Sequence, residues 1–251
     1  MPKILVIGDS CRDVFLYCAA KRLCPDIPVP VLNIQTEREN EGMAQNVYRN
    51  IKNVISDCEI LTNKNWREIT KTRYIDESSN HMFIRVDADH SLIPRVDLSN
   101  TNLQNYSLIA ISDYDKGYLT TEDISYICEN HSNVFLDTKK KVGKWAEKAR
   151  FIKINNYELE RSKETITDIA RSKTICTKGS QGCEYNHVTY PVDKVEVKDS
   201  CGAGDAFFAA LICYYLNEPN IINSIKHANN CAQKVVTERG VTTINESYTD
   251  Q

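Results

Sequence analysis

Between Leu108 and Ile154 strand-like and helix-like stretches take turns: strand Leu108 to Ser112, helix Glu122 to Asn130, strand Val134 to Asp137, helix near Val142 to Lys148, strand Phe151 to Ile154. A chain that repeats strand then helix is driven towards a mostly parallel sheet with helices on both faces, because each crossover must carry it back to the same sheet end. The alternation begins earlier, with an apolar run Lys3 to Ile7 ending in Gly8-Asp9, apolar residues Ala44, Val47, Ile51 and Val54 at helical spacing, and a strand Cys58 to Leu61. It continues with strand Thr174 to Thr177, short strands Cys183 to Tyr185 and Val188 to Tyr190, and two long helices, about Gly204 to Leu216 and Ile221 to Glu238. The expected fold class is therefore α/β, a doubly wound, mostly parallel sheet flanked by helices. Asp9 falls at the carboxyl end of the first strand, where open α/β sheets hold ligands.

Two pieces stand outside this alternation. Val29 to Thr36 is strand-like but has Pro28 and Pro30 beside or within it, as an edge strand would. Arg73 to Ile75 and Met82 to Val86 flank the polar turn Asp76 to Asn80, as in a hairpin. These pieces predict a small β lid, made from segments of about 14–37 and 70–88, on a single folded unit covering 1–251. No internal repeat, low-complexity run or linker interrupts the chain.

With 251 residues, 41% of them hydrophobic, the chain has ample material for a packed core. Its 31 basic and 34 acidic residues leave a net charge of -3, so no strong field draws it to nucleic acid or an anionic membrane, and small molecules are the expected partners. The first apolar run is too short for a signal peptide or a membrane span, which places the protein in the cytoplasm. The ten cysteines are scattered without a C-x-x-C pair, as expected of reduced, buried thiols.

The stretch richest in chemistry is Val197-Lys198-Asp199-Ser200-Cys201-Gly202-Ala203-Gly204-Asp205-Ala206-Phe207-Phe208. Two glycines and an alanine open an apolar helix, so backbone N–H groups at its positive end point at one spot with no side chain in the way. A carboxylate directly after this anion hole would repel a phosphate; it makes sense as a base for a hydroxyl that attacks the phosphate. The competing reading of a bare G-x-G, a glycine-rich turn with Asp205 in the first helical turn, loses ground because the whole seven-residue string is present.

Asp199-Ser200-Cys201-Gly202-Ala203-Gly204-Asp205 resembles the C-terminal signature D-[TS]-x-G-A-G-D of the ribokinase-type (PfkB) carbohydrate kinases. The resemblance implies a ribokinase-like fold, with Asp205 as catalytic base beside Gly202, Ala203 and Gly204. Asn155-Asn156-Tyr157-Glu158 resembles the family's N-x-x-E, whose Glu helps hold magnesium through water. Thr177-Lys178-Gly179-Ser180-Gln181-Gly182 resembles its T-x-G-x-x-G nucleotide loop. Together these imply ATP and magnesium, with Asn155, Glu158, Thr177, Gly179 and Gly182 at the nucleotide.

Towards the N-terminus, Gly8-Asp9 with Asp13 and the run Arg22 to Val31 are similar to the kinase domain of the ADP-heptose synthases. Thr70 to Arg73, Ile84 to Asp87, Ser112 to Gly117 and Asp137-Thr138-Lys139 follow in that subfamily's order, so the resemblance runs from Lys3 to about Ile244. It implies phosphorylation of the anomeric C1 hydroxyl of a heptose 7-phosphate. Asp13 would then accept from two sugar hydroxyls, and Gly42 and Asn46 stand where the family's G-G-x-x-N sugar-binding turn would be. Without the resemblance, Asp13 reads equally well as a loop cap and Gly42 to Asn46 as a helix start. Arg85 and Lys116 are candidates for the phosphate already on the substrate, although most such side chains are merely solvated. Asn229 occupies a position near the adenine in relatives, and Asp199, Cys201 through its carbonyl, and Gly240 match loops that bind a monovalent cation, potassium, in some of them. Lids of this family often pair between subunits, which adds a homodimer through the lid.

The chain also departs from the pattern. Roughly 30 residues, about one βαβ unit, are missing between Asn50 and Thr70. Met43 replaces the second glycine of G-G, and Cys24 and Thr138 replace the usual Ser and Pro. No nucleotidyltransferase domain is expected after Ile244, so adenylylation would need another protein. Two alternatives stand beside the heptose reading: a kinase of the same family for another sugar, sugar phosphate or nucleoside, and a non-catalytic sugar or nucleotide sensor.

Overall fold

In a computed structural model, which describes residues 2–238 and 240–244, two sheets carry the chain. In chain order the elements are β1 (Ile4–Gly8), β2 (Ser10–Leu23), β3 (Pro30–Met43), α1 (Ala44–Lys52), β4 (Cys58–Leu61), β5 (Thr70–Asp76), β6 (Met82–Asp87), β7 (Leu108–Asp113), α2 (Thr121–Asn130) and β8 (Val134–Thr138). Then come β9 (Phe151–Asn155), α3 (Asn156–Arg161), α4 (Asp168–Ser172), β10 (Thr174–Thr177), β11 (Cys183–Tyr185), β12 (Val188–Tyr190), α5 (Ala203–Asn217) and α6 (Ile221–Val236).

The larger sheet has eight strands in the order β12-β11-β10-β9-β8-β7-β1-β4. Its strands are parallel from β4 to β10, and the hairpin β11–β12 adds two antiparallel strands at the far edge. A parallel sheet covered on both faces needs strands apolar on both sides, and β1 shows why its sequence is an unbroken apolar run. Ile4 and Val6 enter the core under α1, α5 and α6, while Leu5 and Ile7 enter the opposite core under α2. Helix α5 is apolar nearly all round, with Ala206 to Cys213 buried, as befits a helix held between the sheet, α1 and α6. The doubly wound arrangement expected from the strand–helix alternation is the one observed.

The helix expected near Val142 to Lys148 is instead a single 3-10 turn, Lys144–Ala146. Extended Gly143 precedes it, and the stretch offers only Val142, Ala146 and Ala149 as fully buried side chains, too few for an apolar stripe several turns long.

The second sheet runs β3-β2-β5-β6, with β2 and β5 parallel and the outer pairs antiparallel. As expected, β3 is an edge strand, opened by Pro30, and β5–β6 is the hairpin. The sequence reading did not pick out β2 as a strand. Its faces explain this: Val14, Leu16 and Cys18 pack on one side and Phe15 and Tyr17 on the other, so no two-residue alternation is visible. The Phe15 side, with Ile75, packs against Cys201 and Val241, which brings this sheet over the entrance to α5.

Candidate active site

Helix α5 begins where the chain cannot carry a side chain. Gly202 precedes it with a φ of 80°, a left-handed conformation, and a Cβ there would stand 3.0 Å from both Asn46 Nδ2 and Val241 Cγ1. No side chain caps the start of the helix, and the Ala203 amide turns back to the Ser200 carbonyl at 3.3 Å, a long contact that a ligand can replace.

Asp205 sits in that first turn, only 5% exposed. Its Oδ1 accepts from the Tyr114 hydroxyl at 2.6 Å and its Oδ2 from Asn46 Nδ2 at 2.8 Å. Burial raises its pKa above the usual aspartate value, and these two hydrogen bonds oppose the rise without cancelling it. The Tyr114 phenol is pushed well up, by burial first and then by the Asp205 charge, so it remains a donor.

Each partner is held in turn. Asn46 lies on α1, and Asn50, one turn on, donates to the Asn46 carbonyl at 2.7 Å while accepting from the Ile244 amide at 2.8 Å. Tyr114 is placed by Asp9, whose carboxylate accepts from the amides of Tyr114 at 2.7 Å and Tyr118 at 3.1 Å. Asp9, which the sequence suggested as a ligand-facing carboxylate, is thus fully buried and shapes the 114–118 loop.

On the other side of Gly204 stands Lys153, a charge that sequence reasoning passed over. A Cβ at Gly204 would lie 3.1 Å from Lys153 Nζ. Lys153 is itself buried on β9 and pairs with Asp137 at 2.8 Å; Lys139 pairs with Glu158 at 2.7 Å. Burial alone would lower the pKa of Lys139, but Asp137 and Glu158 outweigh it and keep the ammonium charged. One signal was present in the sequence: Lys153 interrupts the apolar strand Phe151 to Ile154, where a lysine is costly unless paired.

The two candidate nucleotide motifs meet. A cavity of about 370 Å³ is lined by Asn155, Asn156, Tyr157, Thr177, Lys178, Gly179 and Gln181, and Gly182 closes the turn behind it with a φ of 82°. Within N-x-x-E the side chains form a capping box for α3: Asn155 Oδ1 accepts from the Glu158 amide at 2.9 Å, and Glu158 Oε2 accepts from the Asn155 amide at 2.7 Å. Asn229 is buried on α6 and donates to the Tyr190 carbonyl at 2.9 Å, tying that helix to β12. Asp199 accepts from the Cys201 amide at 2.8 Å, and Gly240 has a φ of 80°.

On the small sheet, Asp13 Oδ1 accepts from Arg73 Nη1 at 2.5 Å. Gly42 pairs with Cys11 across β2–β3, diagonal to Asp13, and a Cβ there would lie 2.5 Å from Asp13 Oδ2, so a side chain would push that carboxylate aside. Arg85 is exposed and forks onto Asp87 at 2.8 and 3.0 Å. Lys116 is half-buried in the Tyr114 loop.

Residues 62–247 match the model of the pfkB family carbohydrate kinases. The chain belongs to the pfkB family of carbohydrate kinases. As a member it is an ATP-dependent sugar kinase, of a family that uses ATP with a divalent metal. It is 28% identical, over 299 residues, to the bifunctional protein HldE of Helicobacter pylori (strain Shi470), an alignment spanning 96% of this chain and 64% of that protein. The chain therefore spans a little under two thirds of the curated relatives it matches. Among solved structures, a ribokinase from Thermotoga maritima superposes with a TM-score of 0.74 at 13% identity, covering 100% of this chain and 98% of the other. Arabidopsis thaliana ribokinase complexed with ribose and ATP does so with a TM-score of 0.71 at 14% identity, covering 99% and 97%. At such identities the likeness speaks for the fold, a ribokinase-like α/β sheet flanked by helices. Among the described residues, no helix is long and apolar enough to cross a membrane.

Proposed function

We propose that this pfkB kinase transfers the terminal phosphoryl group of ATP to the anomeric C1 hydroxyl of a heptose 7-phosphate. One observation carries the reaction: a buried carboxylate, Asp205, stands in the first turn of a helix whose opening amides have no side-chain cap. The heptose rests on the likeness of Asp13, the run Arg22 to Val31, Thr70 to Arg73 and Ile84 to Asp87 to heptose-phosphate kinase domains, and on the match to HldE proteins.

The residues fit a nucleotide triphosphate: a cavity is lined by Asn155, Thr177 and Gly179, and at the start of α5 Gly204 lies beside the ammonium of Lys153. Gly202, Ala203 and Gly204 amides would hold the migrating phosphoryl group, and Lys153 would share its negative charge. Asp205 accepts the proton of the sugar hydroxyl as its oxygen attacks in line. Asp13, Gly42 and Asn46 orient the sugar, and Asn229 keeps the nucleotide end of α6 in place. Magnesium neutralises phosphate charge when bound with the nucleotide, and Glu158 is the residue that would hold it through water. Asp199, the Cys201 carbonyl and Gly240 form the corresponding loop for a monovalent cation such as potassium. The four-stranded sheet acts as a lid that excludes water, and its outer face joins two copies into a homodimer.

A crystal structure with a non-hydrolysable ATP analogue and the sugar tests this reading. The terminal phosphate is expected at hydrogen-bond distance from the amides of 202–204, with a sugar hydroxyl on Asp205. A triphosphate bound elsewhere, with Asp205 untouched, would overturn it.

A further inference from the structure

Lys71 is 7% exposed and is the second residue of β5. Strand register sets it between two aspartates, Asp13 on β2 and Asp87 on β6. Neither takes it as a partner. Asp13 is engaged by Arg73 at 2.5 Å, and both oxygens of Asp87 are engaged by Arg85. Among the described residues the Lys71 ammonium has no hydrogen bond and no ion pair; the centre of the Tyr114 ring is 5.2 Å away. A cation with so little contact with water and no bonded carboxylate is poorly compensated, and a cation–π contact offsets only part of that. The charge of Lys71 is thus left without a bonded anion from the protein among the described residues.

The surroundings agree. His90 Nε2 is buried without a hydrogen-bond partner. Burial lowers the pKa of His90, and Lys116 and Lys71 lower it further against Asp87 and Asp89, so both ammonium groups lie within electrostatic reach of the ring. Lys116 likewise makes no ion pair among the described residues. By contrast, the lysines beside the candidate nucleotide motifs, Lys139 and Lys153, each have a carboxylate partner. The unpaired cations thus belong to the Asp13 side of Asp205, on the small sheet and the Tyr114 loop.

We propose that Lys71, with Lys116 and His90 around it, receives a phosphate group already carried by the sugar, and that this pocket makes the enzyme select phosphorylated sugars. Of the two sequence candidates for that role, Lys116 belongs to this pocket, and Arg85 is paired with Asp87. The proposal rests on the reading of Asp205 as base only in placing the pocket on the acceptor side.

The test compares Lys71→Met and Lys71→Arg with wild type, using ATP with heptose 7-phosphate or with the same heptose lacking phosphate. In Lys71→Met the preference in kcat/KM for the phosphorylated sugar should fall about tenfold to a hundredfold, the size of one charge-assisted hydrogen bond. Lys71→Arg should restore most of it, and the KM for ATP should not move. Thermal unfolding supplies an arm independent of turnover: inorganic phosphate should raise the Tm of wild type and not that of Lys71→Met. Equal losses of kcat on both acceptors would assign Lys71 to the transferring phosphoryl group and overturn the proposal, as would phosphate protection that is absent in wild type or unchanged in Lys71→Met. Asp205→Asn separates the two readings: if it kept turnover, the base assignment would fail while the phosphate arm still judged Lys71.

Discussion

The acidity of Asp205 is set by what surrounds two oxygen atoms. Burial raises its pKa above the ordinary 3.8, and the Tyr114 hydroxyl at 2.6 Å pulls it back down by favouring the ionised form. A base works only when deprotonated, so kcat/KM should fall on acidification through an apparent pKa above 3.8. Tyr114→Phe removes a donor to the carboxylate, and the acid limb of the pH–rate profile should move to higher pH. An unmoved limb would show that Tyr114 does not bear on the base. The two residues differ in how far sequence reveals them. Asp205 announces itself because Gly202, Ala203 and Gly204 stand beside it in the chain. Tyr114 gives no such sign, since its partner lies 91 residues away and only the fold joins them. Lys71 was hidden for a related reason: what singles it out is the pairing of both its aspartate neighbours with arginines.

At the level of elements, strands and helices buried on a sheet were legible, because burial on both faces demands unbroken apolar runs and helical spacing. The small sheet was legible only in part. Its β2 mixes Arg12 and Asp13 with apolar residues on both faces, which masks the pattern of a strand. The outer face of that sheet has a consequence. Strand register places Val86, Thr72 and Val14 in one row, Ile84, Tyr74 and Leu16 in the next, and Ile34 opposite Cys18. Ile34, Ile84 and Val86 are 55%, 53% and 51% exposed. An apolar face beside an open edge strand is poorly suited to water, so the chain should have the mass of a dimer by light scattering, and Ile84→Glu should shift it to monomer. A wild-type monomer at working concentration would contradict the homodimer reading.

Across the whole molecule, the candidate site is an assembly of distant pieces: α5 brings Asp205, α1 brings Asn46, the loop after β7 brings Tyr114, and β9 brings Lys153. The parallel sheet makes this meeting possible, for its strands end on one side and α5 starts there. The order of motifs along the chain conveyed the family and the fold. It conveyed less about the acceptor, because that half of the site lies on the small sheet and hangs on side-chain pairings such as Arg73 with Asp13. The most direct measurement is the turnover of Asp205→Asn at saturating ATP and sugar. Loss of the base should raise the barrier by roughly 3 to 5 kcal/mol, a drop in kcat of about two to four powers of ten. Turnover close to that of the wild type would contradict the assignment of Asp205 as the residue that takes the sugar's proton.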